Sequence, residues 1–252
     1  MNLCGPGFKI NNVKHIIFDK DGTITDSHVY WSEIIRRRSI AICNEFCLPF
    51  DSYNSKIQHS MGLGLDGLLM AKGPIAIKSR SEVISTLIRM FELENILITE
   101  DQLNEIFAHV HIKFSSASHK YIKPITASLA FIDKLVSAGI ALSLATSDSL
   151  ENTIASLKML NLHQVFSPGI VCCDSGFGDK RNGEPAKALC NMRNIHPSET
   201  ICIGDAPMDF QMSEAASLKA CVLASTGQIP YSNLQSVTSF VCHSLSEISI
   251  HS

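Results

Sequence analysis

Outside residues 28–120, the sequence alternates between apolar runs and helical patterns, and this alternation limits the fold more than any other feature. The runs are short and rich in Ile, Leu, Val and Cys, which is typical of buried strands. They are residues 15–18, 140–145, 169–173, 200–203 and 220–223, and Val241 and its neighbours are expected to add an edge strand. Strands that alternate with helices form parallel sheets with helices on both faces. The sequence therefore predicts an α/β fold with a helix-flanked parallel sheet.

Residues 28–120 carry helical periodicity and no strand signal. Ser81 is expected to cap one amphipathic helix, and Thr99 begins a Thr-x-x-Gln capping box at the start of another. About four helices fit this segment, which is enough for a separate lobe. We therefore predict a core of residues 10–27 and 121–252 with an inserted helical domain of residues 28–120.

Composition and charge exclude several classes of protein. The chain has 252 residues, is 45% hydrophobic and carries a net charge of −3, which gives no case for binding nucleic acid or an anionic membrane. No apolar run reaches membrane-spanning length, and residues 1–12 lack the pattern of a secretion signal. The nine cysteines have no disulfide-like or zinc-like spacing. We expect them to be reduced, mostly buried thiols of a cytoplasmic protein.

Two aspartates directly follow the first apolar run. The segment reads Phe18-Asp19-Lys20-Asp21-Gly22-Thr23, in which Asp-Gly predicts a turn. Open α/β sheets place their chemistry at the carboxyl ends of their strands, where these two carboxylates would lie. A plain turn is the simpler interpretation. A calcium loop is disfavoured because Thr23 replaces the third carboxylate and no bidentate Glu follows.

Polar clusters also follow two of the later apolar runs. Thr146 and Ser147 come after one run and Asp205 after another, with Asp209 four residues further on. The simpler interpretation of each is a turn or a helix cap, but their recurrence at strand ends predicts that they converge with Asp19. Carboxylates that share a pocket repel one another unless a cation is present. Oxygen ligands favour a hard cation, and we predict Mg²⁺.

The order of these clusters resembles the haloacid dehalogenase (HAD) superfamily of phosphohydrolases with a helical cap, similar to its phosphoglycolate phosphatase and β-phosphoglucomutase relatives. Asp19 to Thr23 matches the first motif fully, Thr146 the second, and Gly204-Asp205 with Asp209 the fourth. The resemblance spans nearly the whole chain. It implies a Rossmann-like parallel sheet with an inserted α-helical cap that closes over the site.

The resemblance also implies roles for the acidic residues. Asp19 is the nucleophile that forms an aspartyl-phosphate, and Asp21 is the general acid–base. Mg²⁺ is held by Asp19, the backbone carbonyl of Asp21 and Asp205, with Asp209 bound directly or through water. The implied activity is hydrolysis of a small organic phosphomonoester, such as phosphoglycolate or a sugar phosphate.

The phosphate-binding residues implied by the resemblance are Thr146, Ser147 and a lysine of the third motif. Relatives commonly carry this lysine shortly before a Pro that opens a helix. Lys180 lies before Pro185, although with a longer gap than usual, and Lys187 is the alternative. We favour Lys180 because it precedes the helix and can reach a phosphate as a point charge.

Three alternatives to a phosphatase are considered for this fold. A dehalogenase is disfavoured because relatives with that activity lack the second Asp of the first motif, here Asp21. Mutases carry a His about twelve residues after the nucleophile, where this chain has Trp31, and an Arg in the cap loop, which Gly62–Asp66 lacks. An inactive binding protein is disfavoured because both first-motif carboxylates are present.

Overall fold

A computed structural model of the chain describes residues 1–75 and 77–251. It divides into two compact units, Met1–Asp26 with Pro124–Ser252 and Ser27–Lys123. The first nine residues, which the predicted core range omits, belong to the first unit. Ala76 of the predicted helical domain and Ser252 of the predicted core lie outside the described residues.

The described residues form short strands in the first unit and helices in both. The strands are β1 (Asn2–Gly5), β2 (Phe8–Ile10), β3 (His15–Phe18), β4 (Ala141–Ala145), β5 (Ile170–Val171), β6 (Thr200–Gly204), β7 (Ala220–Ala224), β8 (Val241–Cys242) and β9 (Ser249–His251). The helices are α1 (Ser27–Glu45), α2 (Phe50–Met61), α3 (Arg80–Leu93), α4 (Glu100–Ser115), α5 (Thr126–Ser137), α6 (Leu150–Met159), α7 (His163–Phe166), α8 (Glu184–Arg193), α9 (Pro207–Ala215) and α10 (Tyr231–Leu234).

The main sheet of the first unit has six parallel strands in the order β5-β4-β3-β6-β7-β8. In the centre, Phe18 of β3 lies in register with Leu144 of β4 and Ile203 of β6. All three side chains are fully buried, as expected for strands covered by helices on both faces. The predicted α/β fold is confirmed. The carboxyl ends of β3, β4 and β6 therefore lie side by side.

A second, antiparallel sheet has the strand order β2-β1-β9 and joins the two ends of the chain. The sequence analysis did not predict it. Its strands are three or four residues long, so a period-two pattern has too few positions to show. Leu3 of β1 is fully buried and belongs to the same hydrophobic core as Phe18, so this sheet is packed against the first unit.

The second unit contains helices α1 to α4 around its own core, which includes Ile35, Leu87 and Phe107. The capping box at Thr99 is confirmed. The Thr99 hydroxyl accepts from the Gln102 N–H, and the side-chain oxygen of Gln102 accepts from the Thr99 N–H. The predicted cap at Ser81 is wrong. The N-cap of α3 is Ser79, which has Glu82 three residues later and forms the reciprocal pair of bonds with it.

The nine cysteines are free thiols, and six of them are buried, as the sequence analysis expected for most of them. Among the described residues, no helix combines the length and the apolar character needed to cross a bilayer.

Candidate active site

The backbone turns sharply after β3 and keeps Asp19 at the end of the strand. The Asp19 N–H donates to the Ile203 carbonyl at 2.9 Å, and the Lys20 carbonyl accepts from the N–H groups of Ile24 and Thr25 at 2.8 and 2.9 Å. Gly22 has a φ of 92°, and a Cβ there would collide with the carboxylate of Asp205. The predicted Asp-Gly turn is present, and only glycine fits its backbone and its close approach to Asp205.

Three buried carboxylates meet beside this turn. Asp19, Asp205 and Asp209 each offer an oxygen, and these oxygens lie within 4.8 Å of one another. Asp209 is fixed in the first turn of α9, where its Oδ2 accepts from the Ala206 N–H at 3.1 Å. A Cβ at Gly204 would collide with Asp209, so the residue at the end of β6 leaves room for this carboxylate. The structure thus brings together the three predicted carboxylate ligands.

Lys180 lies against the same carboxylates. Its Nζ is 2.6 Å from Oδ1 of Asp19 and 2.6 Å from Oδ1 of Asp209, and the lysine is buried. Lys187 instead pairs with Glu184 on α8, and its side chain is 45% exposed. Of the two candidate lysines, the structure places Lys180 at the cluster and Lys187 on the surface of the helix.

The electrostatics of the cluster favour a bound cation. Burial, together with the charges of Asp209 and Asp21, raises the pKa of Asp19 to about 7, although the charge of Lys180 opposes this shift. Burial and the charges of Asp19 and Asp209 also hold the pKa of Asp205 well above its usual range. Burial lowers the pKa of Lys180, but Asp19 and Asp209 raise it more, so the net shift is upward and the ammonium stays charged. One lysine faces three carboxylates, and this oxygen-rich, net negative set fits a hard divalent cation such as Mg²⁺.

The carboxyl of Asp21 is held by different partners. Nζ of Lys20 lies 2.9 Å from its Oδ1 and 2.8 Å from its Oδ2, and the Thr25 hydroxyl donates to Oδ1 at 2.8 Å. Lys20 also lies 2.9 Å from Oδ2 of Asp148 in the turn after β4. Burial lowers the pKa of Lys20, but Asp21 and Asp148 raise it more, so the net shift is upward. The pairing of Lys20 with Asp21 and Asp148 was not predicted from the sequence, in which the one signal for it was a lysine between two aspartates.

The predicted phosphate-binding residues line one cavity of about 180 Å³ in the first unit. Thr146, Ser147 and Lys180 form part of its wall, together with Met208. Thr146 is buried at the end of β4, and its Oγ1 accepts from the Asp148 N–H at 3.1 Å. Ser147 is exposed, with its Oγ 3.8 Å from the Met208 sulfur. The structure therefore brings all three predicted residues to a single cavity at the strand ends.

Comparisons with known proteins agree with this geometry. The model of the family described as haloacid dehalogenase-like hydrolase matches residues 16–223. A phosphoglycolate phosphatase of Psychrobacter arcticus is 22% identical over 203 residues, which are 81% of this chain and 80% of that protein.

Solved structures with the same fold cover nearly the whole chain. The structure of a predicted phosphoglycolate phosphatase of Haemophilus somnus superposes with a TM-score of 0.70 at 16% identity, covering 94% of this chain and 96% of that one. A proposed β-phosphoglucomutase of Thermotoga maritima gives 0.68 at 17% identity, covering 93% and 96%. At such identities the likeness shows a shared fold.

Proposed function

The chain belongs to the haloacid dehalogenase-like hydrolase family, and from this premise we propose that it is a Mg²⁺-dependent phosphatase of a small organic phosphomonoester. The predicted family is confirmed, and with it the prediction of an enzyme. The observation that carries the proposal is the position of Asp19, which shares a buried site with Asp205, Asp209 and Lys180.

Asp19 is proposed as the nucleophile. Burial raises its pKa, and Lys180, 2.6 Å from its Oδ1, opposes this shift, so that the net pKa is about 7. Mg²⁺ held by Asp19, Asp205, Asp209 and the backbone carbonyl of Asp21 would supply further positive charge for the carboxylates and the phosphoryl oxygens. An ionised Asp19 can then attack phosphorus and form an aspartyl-phosphate.

Asp21 is proposed as the general acid–base. The leaving alkoxide needs a proton when the ester bond breaks, and the attacking water must lose one when the aspartyl-phosphate is hydrolysed. Asp21 lies two residues from the nucleophile on the same turn, and its side chain is partly exposed. Such assistance typically contributes about 10²- to 10⁴-fold in rate.

Thr146, Ser147 and Lys180 are proposed to bind the transferring phosphoryl group. They line the same cavity, and they offer hydroxyl groups and one ammonium. Charge that spreads over the phosphoryl oxygens is stabilised by such donors when they are held in place beforehand. The partner we propose is therefore a small-molecule phosphomonoester, and we propose neither nucleic acid nor a membrane as a partner. The free thiols favour a reducing, cytoplasmic location.

A sugar-phosphate mutase is the second candidate, because a proposed β-phosphoglucomutase is among the structures with this fold. Trp31 stands where mutases carry a His, and the loop Gly62–Asp66 has no Arg. Both features favour the phosphatase.

A screen of phosphorylated metabolites for release of inorganic phosphate in the presence of Mg²⁺ tests the proposal. We expect at least one small phosphomonoester to be hydrolysed, and we expect Asp19→Asn to abolish the release. Asp133→Asn, the same change at an exposed position of α5, should keep full activity. Turnover retained in Asp19→Asn contradicts the assignment of the nucleophile, and isomer interconversion without phosphate release favours the mutase.

A further inference from the structure

Lys20 is a buried lysine whose ammonium lies between two carboxylates from different loops. Its Nζ contacts both carboxylate oxygens of Asp21, at 2.8 and 2.9 Å, and Oδ2 of Asp148 at 2.9 Å. Only 5% of its side chain is exposed. Its backbone is also fixed, because its carbonyl accepts the N–H groups of Ile24 and Thr25. Lys20 therefore ties the turn after β3 to the turn after β4.

Asp148 is a rigid anchor for this lysine. Its Oδ1 accepts from the Ser149 N–H at 2.8 Å and from Nδ2 of Asn152 at 3.1 Å, which fixes it to the first turn of α6. Its own N–H donates to Oγ1 of Thr146. The contacts run without a gap from Thr146 through Asp148 and Lys20 to Asp21.

We propose that Lys20 is a positioning residue that holds the carboxyl of Asp21 in place by linking it to Asp148. The inference rests on the proposed function, since it assumes that Asp21 moves the proton of the leaving group. In that function the phosphoryl group lies beside Thr146 and Ser147, so the link fixes the distance between the acid–base group and the reacting ester.

A fixed position matters because proton transfer needs the two heavy atoms within about 2.6–3.2 Å. A partly exposed aspartate without partners samples several rotamers, and most of these point its carboxyl elsewhere. Lys20 contacts both oxygens, and Thr25 donates to one of them, so the carboxyl is constrained in orientation as well as position. A buried ammonium keeps such partners because losing them leaves an uncompensated charge.

The dependence of the rate on the leaving group separates positioning of Asp21 from general damage to the site. An alkyl phosphate releases an alkoxide that must be protonated, whereas p-nitrophenyl phosphate releases an anion that is stable without a proton. Release of the alcohol in a single turnover reports only the first chemical step. The test compares this step for both esters in the wild type, Lys20→Met and Lys158→Met, an exposed lysine of α6 that serves as the matched control.

We expect Lys20→Met to slow release of the alkyl alcohol by about 10²-fold or more, the range of general acid–base catalysis, and to slow p-nitrophenol release far less. The KM for each ester and the affinity for Mg²⁺ should stay at the wild-type values, and Lys158→Met should match the wild type for both esters. Equal losses on the two esters, or no loss on either, overturn the proposal.

A double-mutant cycle on thermal stability tests the link without any substrate. Lys20→Met and Asp148→Asn remove the two ends of one contact, so the loss of Tm in the double variant should be smaller than the sum of the single losses. Additive losses overturn the proposal. If the wild type hydrolyses no phosphomonoester while the cycle is non-additive, the proposed function fails and the link between Lys20 and Asp148 stands.

Discussion

Asp205 is one of the three buried carboxylates of the candidate active site. Burial and the neighbouring charges of Asp19 and Asp209 hold the pKa of Asp205 well above its usual range, so its ionised form is disfavoured in the folded chain without a cation. The backbone nevertheless leaves room for this carboxylate, because a Cβ at Gly22 or at Gly227 would collide with it. A cation that neutralises the cluster should therefore stabilise the fold.

We expect Mg²⁺ to raise the Tm of the wild type, since a ligand at about 100 times its Kd adds about 2.7 kcal/mol to the free energy of unfolding. Asp205→Asn removes a carboxyl group whose ionisation the metal-free fold disfavours, and it removes one ligand. It should raise the Tm of the metal-free protein and abolish the Mg²⁺-dependent increase, whereas Asp133→Asn should keep that increase. Thermal denaturation with and without Mg²⁺ measures both effects. A wild-type Tm that does not respond to Mg²⁺ would contradict the metal site.

His15 lies at the opposite end of β3 from Asp19 and is buried as a neutral group. Its ring nitrogens lie 2.8 Å from the Ser143 hydroxyl and 3.2 Å from the Thr200 hydroxyl. Burial, with the nearby charge of Arg193, lowers the pKa of His15 to about 4. In the unfolded chain a histidine has a pKa of about 6.5. Between these values the unfolded state binds the proton and the folded state does not.

The wild type should therefore lose stability as the pH falls from about 6.5 to about 4, by about 3 kcal/mol from this residue. His15→Gln keeps hydrogen-bonding groups but does not titrate, so its stability should lack this part of the pH dependence. Urea unfolding of both proteins across this pH range gives the difference. Parallel profiles for the two proteins would show that His15 is not buried as a neutral group.

At the scale of elements, the sequence predicted helices better than their exact starts, and strands better than their lengths. The capping box at Thr99 was readable because one polar residue precedes the helix at the right spacing. At the start of α3 the prediction placed the cap at Ser81, which lies inside the helix, whereas the capping residue is Ser79, paired with Glu82 three residues later. The strand predicted over 169–173 is only Ile170–Val171, because apolar composition does not show where pairing with β4 stops.

The same two serines give a test with a built-in control. Ser79→Ala removes the side chain that accepts from the Glu82 N–H and should lower the free energy of unfolding by about 1 kcal/mol. Ser81→Ala, an exposed position inside α3, should change it by less than about 0.5 kcal/mol. Urea denaturation compares the variants, and a larger loss for Ser81→Ala would contradict the assigned cap.

At the scale of the whole molecule, the parallel sheet and the meeting of polar residues at the carboxyl ends of its strands could be predicted from the sequence, but two features could not. Convergence of Asp19, Thr146 and Asp205 could be predicted because parallel strands bring their carboxyl ends to one edge. The pairing of Lys20 with Asp148 could not, because it depends on side-chain directions in two separate turns. The antiparallel sheet lies outside the residues matched by the family model, and its pairing of β1 with β9 joins opposite ends of the chain.

The antiparallel sheet should contribute to the stability of the first unit through Leu3, which is fully buried. Leu3→Ala should lower the free energy of unfolding by about 2–5 kcal/mol, the usual cost of such a truncation in a packed core. Leu97→Ala, at a leucine that is 93% exposed, should have little effect. Urea denaturation measures both variants, and equal effects would mean that β1 does not pack as described.

The proposed function requires Asp19 to be a nucleophile at a Mg²⁺ site. Beryllofluoride tests this without knowledge of the substrate, because it adds to a reactive aspartate in place of a phosphoryl group. With Mg²⁺ and beryllofluoride, the wild type should give resonances of a bound adduct in ¹⁹F NMR, and these should vanish in Asp19→Asn and when Mg²⁺ is removed. An adduct that persists in Asp19→Asn, or a wild type that forms none, would contradict the account.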